Sequence, residues 1–318
     1  MIIRIVKAVG RLIMVWSKDD IADNDFKRTE RTGIMLYREY DSETLKKLQT
    51  LELEILRDFN DLCDKYDIDY FGCGGTAIGA VRHGGFIPWD DDIDIGFLRK
   101  DYEKFLKVAE KEYGNKYSIL NAEVDSGYPL MTSRWVLNGT SFKEECFKEL
   151  DCNFGIFLDL FCFDNIPDDT KKMKKQMWRG WFWGKLMILL AIKKPTVYQQ
   201  GITQKVIYFI SYVMHYALKL FHVSPEYLYK KAKKYATYYE EEKTKRVAFM
   251  FDPTPFTSIM NVEDVLPTKS MDYSGIKIRV PNHIEKYLEV RYGGNYMELP
   301  PEEKRHNHPP YDLDFGDY

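Results

Sequence analysis

The chain has no cysteine pair at zinc-finger spacing and no even cysteine framework. Cys63, Cys73, Cys146, Cys152 and Cys162 are odd in number, scattered and mostly set among apolar neighbours. They read as free core thiols in a reducing cytoplasm rather than as disulfides or a structural zinc site. Net charge is also lacking: 46 basic residues against 49 acidic ones leave −3, so bulk electrostatics offer no ground for a nucleic-acid partner. Internal repeats and low-complexity linkers are absent, which excludes solenoids and tethered arrays. The apolar N-terminus MIIRIVKAVGRLIMVW is broken by Arg4, Lys7 and Arg11 and is followed by no small-residue cleavage pattern. Neither a spanning helix nor a cleaved signal is expected here; as an amphipathic helix the stretch is expected to lie on a membrane or dock on the domain.

A second absence is local. From Thr170 through Pro225 there is no aspartate or glutamate, while ten lysines and arginines occur. Two apolar stretches stand inside this window, KKMKKQMWRGWFWGKLMILLAIKK and VIYFISYVMHYALKLFHV. Neither offers a clean run of about 20 apolar residues. Aromatic rings favour the headgroup level and lysines attract anionic lipid, so both stretches are expected to lie in the cytoplasmic leaflet. The alternative is a helical hairpin packed on the core.

What the chain does contain is aromatic surface, 48 of 318 residues, and a readable alternation of elements. Apolar residues at helical spacing from Ser42 to Tyr66 predict an amphipathic helix. IDYFGCGG reads as a strand ending in a glycine turn, TAIGAVRH as a helix from Thr76, DIDIGF as a strand, and DYEKFLKVAEKEY as a helix capped by Asp101. Further strands are expected at YSILNAE, MTSRWVL, TSFKEECF and GIFLDLFCFDN. The order predicts an α+β (α/β-like) protein, a mixed sheet flanked by helices. Residues 1–41 would form an N-terminal extension, 42–169 the catalytic core, 170–245 a basic, aromatic helical insertion at the membrane, and 246–318 a segment folding back on the core.

The chemistry concentrates in GGTAIGAVRHGGFIPWDDDIDIGF, residues 74–97. On a strand, Asp92 and Asp94 share one face, about 6–7 Å apart at their α-carbons, while Ile93 and Ile95 point into the core. Like charges held that close in a partly dry cleft repel, and a divalent cation removes the penalty. Hard oxygen ligands suit Mg²⁺ or Mn²⁺ with positions open for phosphate. Asp159, alone in the apolar run GIFLDLFCFD, is the expected third ligand, because an isolated buried carboxylate is costly; pairing with an arginine is the alternative. Asp164 and Asp168 are expected in a turn. Gly74, Gly75 and Thr76 open a helix whose N–H groups and dipole favour phosphate, and Arg82 is a candidate phosphate contact. Asp90 and Asp91 read as loop residues supporting the pair, and Trp89 as a loop anchor. His306 and His308 are candidates for acid–base or phosphate contacts in a tail that is solvated by default.

Gly-Gly followed by Asp-Ile-Asp-Ile resembles the signature of the nucleotidyltransferase (polymerase beta-like) superfamily. The longer string with RKDYEKF after it resembles the LicD family of phosphotransferases more closely, and LDLFCFDNIPDD and YGGNYMELPPEEKRHNH resemble that family's later aspartate-bearing strand and its C-terminal segment. The resemblance implies a nucleotidyltransferase-type core with Asp92, Asp94 and Asp159 holding Mg²⁺ or Mn²⁺. It implies transfer of a phospho-alcohol such as phosphocholine from a CDP-linked donor to a hydroxyl of a surface glycan or lipid-linked glycan, with release of CMP. The implied setting is the inner face of the membrane, peripherally attached. The alternatives are a nucleotidyltransferase that attaches a nucleoside monophosphate to a small molecule or protein, and a non-catalytic glycan adaptor on the same fold.

Overall fold

A computed structural model describes residues 40–195, 201–301, 305 and 310–318. The N-terminal helix expectation and the two tail histidines, His306 and His308, lie outside the described residues. The architecture is α+β, a mixed sheet flanked by helices.

Helix α1 (Ser42–Lys65) starts where Asp41, in extended conformation, accepts the Thr44 N–H at 2.9 Å, satisfying one free amide of the first turn. Its stripe Leu48, Leu51, Ile55, Phe59, Leu62 and Cys63 is buried, as the spacing predicts. Phe59 meets Phe97, Phe105 and Trp135 at ring separations of 4.9–6.1 Å, and Tyr117 lies over Trp135 at 4.0 Å. Much of the aromatic excess is therefore core, where tilted and edge-on pairs add to apolar burial.

Strand β1 (Phe71–Gly72) leads into α2 (Gly74–His83), which Gly84 ends in the left-handed conformation at φ 64°. Then follow β2 (Asp94–Leu98), α3 (Arg99–Tyr113), β3 (Tyr117–Leu120), β4 (Ser133–Leu137), β5 (Ser141–Lys143) and β6 (Phe157–Ile166). Several boundaries differ from expectation: β2 begins at Asp94 rather than Asp92, and the strand expected over TSFKEECF ends at Lys143, with Glu145–Phe147 forming a 3-10 turn. Helix α2 begins at Gly74 rather than Thr76, and α3 begins at Arg99 with Leu98 as its cap, so Asp101 sits inside the first turn and accepts from Asp69 N–H instead. The strand order is β1-β2-β6-β4-β3, with β2 and β6 parallel and the other neighbours antiparallel.

Helices α4 (Thr170–Ala191), α5 (Gly201–Leu220) and α6 (Pro225–Ala236) carry the basic, aromatic segment. The chain returns through β7 (Arg246–Ala248), which extends the sheet along the end of β6, and β8 (Ile259–Asn261), then α7 (Val262–Val265), the hairpin β9 (Lys269–Tyr273) and β10 (Ile276–Val280), α8 (Ile284–Tyr292) and β11 (Asp312–Asp314) on β5.

Helix α4 is buried along one side. Met173 and Met177 are buried with Ile166, Ala236, Ala248 and Met250. Gly180 and Gly184 let Met250 and Phe251 press close, at 3.2 and 2.7 Å from where a Cβ would stand. Trp181 donates to the Asp252 carbonyl at 3.0 Å, and Trp178 meets Phe256 edge-on. These contacts pack one side of α4 on the core. The expectation of a turn at Asp164 is overturned: it lies inside β6, 1% exposed, and takes two bonds from Arg99 at 2.8 and 3.0 Å. A following strand pairing with β7 holds the chain extended there, and a buried cation removes the cost of the carboxylate.

Candidate active site

Parallel pairing of β2 with β6 sets Asp94 directly opposite Asp159. Neighbouring strands lie about 4.8 Å apart, so two carboxylates in register on one face must meet. The expectation that Asp92 and Asp94 share one strand face is corrected: β2 begins at Asp94, and Asp92 stands in the loop two residues ahead of it. One carboxylate oxygen from each of Asp92, Asp94 and Asp159 lies within 4.8 Å of the others. The structure thus brings together the three residues singled out by alternation and by solitary burial.

The start of α2 is built around Asp94. Cys73 N–H donates to the Asp94 carbonyl at 3.0 Å, and Asp94 N–H donates to Thr76 Oγ1 at 2.8 Å. Gly74 has φ +52°, and a Cβ there would stand 2.2 Å from Asp94 Oδ2; a Cβ on Gly75 would stand 2.7 Å from Asp90 Oδ2. Only glycine fits both requirements at position 74. The Gly75 N–H donates to the Asp94 carboxylate, and the Gly74 N–H donates to the Tyr287 hydroxyl at 2.8 Å. Thr76 is 1% exposed, so its side chain ties the strand to the helix from within.

Asp159 also meets an arginine. Arg134, on the neighbouring β4, donates through Nε to Asp159 at 3.2 Å, grips Glu144 through both terminal nitrogens at 3.2 and 2.5 Å, and stacks over Phe157. The pairing with an arginine is thus observed, and Asp159 also stands in the acidic cluster. Even so, burial pushes its carboxyl above the usual range, against the pull of Arg134. Burial, then repulsion from Asp94, Asp90, Asp91 and Asp159, raises Asp92 well above normal. Asp94 is pushed up to about 8 by burial and by Asp159 and Asp90, with Arg291 and the Gly75 amide opposing. Asp90 rises to about 7 through burial and its neighbour Asp91, with Arg82 opposing.

Near these lies a buried carboxylate not singled out above, although its helical spacing with Leu48, Ile55 and Phe59 places it on the core face. Glu52 occupies the buried stripe of α1, is 1% exposed, and its Oε2 has no hydrogen-bond partner among the described residues. Burial and the charges of Asp91, Asp90, Asp159 and Asp94 raise it well above normal. Gln49, one turn earlier, donates to the Asp90 carbonyl, and the Tyr40 hydroxyl donates to Asp91. A converging set of hard oxygens with a glycine cradle and mutually raised acidities fits a divalent cation of the Mg²⁺ or Mn²⁺ type.

The cations around the site come from α2 and from a segment far along the chain. Arg82 directs Nη1 to the carbonyls of Tyr296 and Glu298 at 3.1 and 3.2 Å and Nε to His83, tying down the C-terminal segment while remaining close enough to lower Asp90. Arg291 follows Tyr287 by one turn on α8. It donates to Ser258 Oγ at 2.5 Å, lies 3.7 Å from Asp252, and its charge lowers Asp94. Nothing in the local pattern of HIEKYLEVRYGG distinguishes Arg291 from a solvated charge. Trp89 is anchored between the His83 ring and the Arg305 guanidinium. Asp168 is an exposed turn residue beside Arg246.

Strand, glycine turn, helix and an Asp-x-Asp whose second aspartate opens the next strand, with a third aspartate from a parallel neighbour, define a nucleotidyltransferase-type domain. Residues 67–185 match the family described as LicD/FKTN/FKRP, nucleotidyltransferase domain. The chain is 30% identical over 280 residues to the lipopolysaccharide cholinephosphotransferase LicD of Haemophilus influenzae, covering 83% of this chain and 96% of that protein. Over 48 residues it is 38% identical to the human ribitol 5-phosphate transferase FKRP, 15% of this chain and 10% of that one. The chain belongs to the LicD family. It is an enzyme, a transferase of phosphate-containing groups.

Proposed function

We propose that the protein moves a phospho-alcohol, phosphocholine or a close analogue, from a CDP-linked donor to a hydroxyl of a cell-surface glycan or glycolipid, releasing CMP. The observation that carries this reading is the meeting of Asp92, Asp94 and Asp159 within 4.8 Å in a chain that spans 96% of a lipopolysaccharide cholinephosphotransferase. These three residues would hold Mg²⁺ or Mn²⁺. When bound, the cation supplies charge neutralisation at the diphosphate and a steadier leaving group.

The residues of the chain account for the rest. Because the Gly74 and Gly75 amides already serve Tyr287 and Asp94 and Thr76 is buried, the helix start shapes the carboxylate cluster; Arg82 and Arg291 flank the carboxylates on the side of Asp90 and Asp94, and we assign the donor phosphates to this rim. The acceptor oxygen forms its bond to the phosphorus that carries the alcohol. The bond from that phosphorus to the bridging oxygen breaks, and CMP leaves with the electron pair. Asp94 or Asp159 takes the acceptor proton, and Arg134 holds Asp159 in orientation. No single described helix is long and apolar enough to cross a membrane; we place the reaction at the inner membrane face, with the protein attached peripherally.

The test is a donor screen with Mg²⁺ over CDP-choline, CDP-ethanolamine, CDP-glycerol and CDP-ribitol, beside CTP and ATP. CMP release from one CDP-alcohol without pyrophosphate is expected. Pyrophosphate release from a nucleoside triphosphate, with every CDP-alcohol left intact in the presence of acceptor glycan, would replace this reading with nucleotide transfer.

A further inference from the structure

Helix α5 presents its apolar side outward. Ser211, Met214, His215 and Leu218 are buried, and His215 Nδ1 reaches the Leu189 carbonyl of α4 at 2.9 Å. The opposite side carries Ile202, Val206, Phe209, Val213, Tyr216 and Leu220, exposed by 80, 42, 70, 51, 49 and 74%. Spaced alternately four and three residues apart, these six fall within an arc of about 80° at 100° per residue and form a stripe about 27 Å long. A continuous exposed stripe of this kind is unusual on a soluble surface and marks a contact face.

Its flank says what the contact is. Lys205, Tyr212 and Lys219 line one edge of the stripe at the same helical spacing, and residues 170–225 hold ten lysines and arginines with no acidic residue. Apolar side chains beside lysine and tyrosine, on a helix with no acidic residue of its own, complement an anionic leaflet; Glu149, the carboxylate near Lys219, is paired with Lys193 at 3.0 Å. Crossing the bilayer is disfavoured because α5 and the helix after it bend by 113°, and because the inner face of α5 is already committed to α4.

We propose that α5 is the membrane-docking element of this protein, lying in the plane of an anionic leaflet with the stripe from Ile202 to Leu220 in the acyl boundary. This rests on the peripheral membrane placement proposed above and narrows it to one helix face and one lipid class. Helix α4, with a similar composition, is excluded because its aromatic side chains are spent on protein contacts.

The test is flotation of the full chain with vesicles of phosphatidylcholine alone and of phosphatidylcholine with phosphatidylglycerol, in the absence of donor and acceptor. Wild-type protein should float with the anionic vesicles, the F209E/L220E double variant should partition at least tenfold less, and K205E/K219E should lose the preference for phosphatidylglycerol. Because all four side chains are on the exposed side or its edge, each variant should melt like wild type and release CMP from soluble donor at the wild-type rate. That second readout separates failure of docking from failure of the reaction. Equal flotation of wild type and F209E/L220E, or wild-type protein that does not float, overturns the proposal. So does light scattering that shows F209E/L220E converting a dimer to a monomer, which would make the stripe a self-association face.

Discussion

Gly74→Ala should damage the carboxylate cluster without touching a charge. The new Cβ would stand 2.2 Å from Asp94 Oδ2, whereas carbon and oxygen in contact need well over 3 Å, so the carboxylate must retreat by ~1 Å or the helix start must move. The backbone compounds this, since φ +52° costs an L-residue about 1–2 kcal/mol. A displacement of ~1 Å at a reacting group is enough to lower turnover by about 100-fold. Three measurements follow: thermal melting, Mg²⁺ titration, and CMP release from the donor found by the screen. The expected result is a melting point lower by several degrees at most, weaker Mg²⁺ response, and turnover down by roughly two orders of magnitude. Gly294→Ala, where a Cβ meets nothing within 4 Å, is the matched control and should behave as wild type. If Gly74→Ala keeps turnover and Mg²⁺ response within twofold of wild type, the argument that this glycine is shaped by the Asp94 carboxylate is wrong.

Arg134→Leu removes the cation shared by Glu144 and Asp159 in a buried site and should cost about 3–5 kcal/mol in urea unfolding; a loss below ~1 kcal/mol would show that the pair is not buried in solution. Arg291→Ala should lower donor kcat/KM by about 10–100-fold, ~1.4–2.7 kcal/mol in transition-state binding, with a smaller effect on melting; an unchanged kcat/KM removes Arg291 from the donor rim. Metal-free protein should lose stability as pH climbs. Asp94 and Asp90, at about 8 and 7 in the folded chain, hold protons that the unfolded chain has already released above ~pH 4, so the native state is favoured at low pH and penalised through the window up to ~pH 8. Melting in EDTA across that window should fall, and added Mg²⁺ should restore more at its alkaline end; a flat metal-free profile would contradict the packing of these carboxylates.

Helix α1, the glycine turn and the solitary Asp159 are legible in the sequence because each is written in local terms: a 3.6-residue period, a conformation open to glycine, a charge inside an apolar run. The family resemblance rests on the same short strings. Asp164 shows the limit. Its neighbours NIPDD carry turn chemistry, yet pairing with β7, some 80 residues later, keeps it in the strand and Arg99 neutralises it. Arg134, Tyr287 and Arg291 reach the site from a neighbouring strand and from a helix more than 190 residues downstream of Asp94, and no short-range pattern announces such partners.

By itself, then, the sequence determined the helix and strand alphabet, the three aspartates and the acid-free basic window, since these depend on residue type and spacing along one chain. The tertiary structure decided that Asp159 faces both its two acidic partners and Arg134, that Glu52 is buried near them with its Oε2 lacking a partner among the described residues, and that α4 keeps its aromatic residues against protein while α5 turns an apolar stripe outward. Composition records how apolar a helix is; only the arrangement of its neighbours determines which side of it is covered.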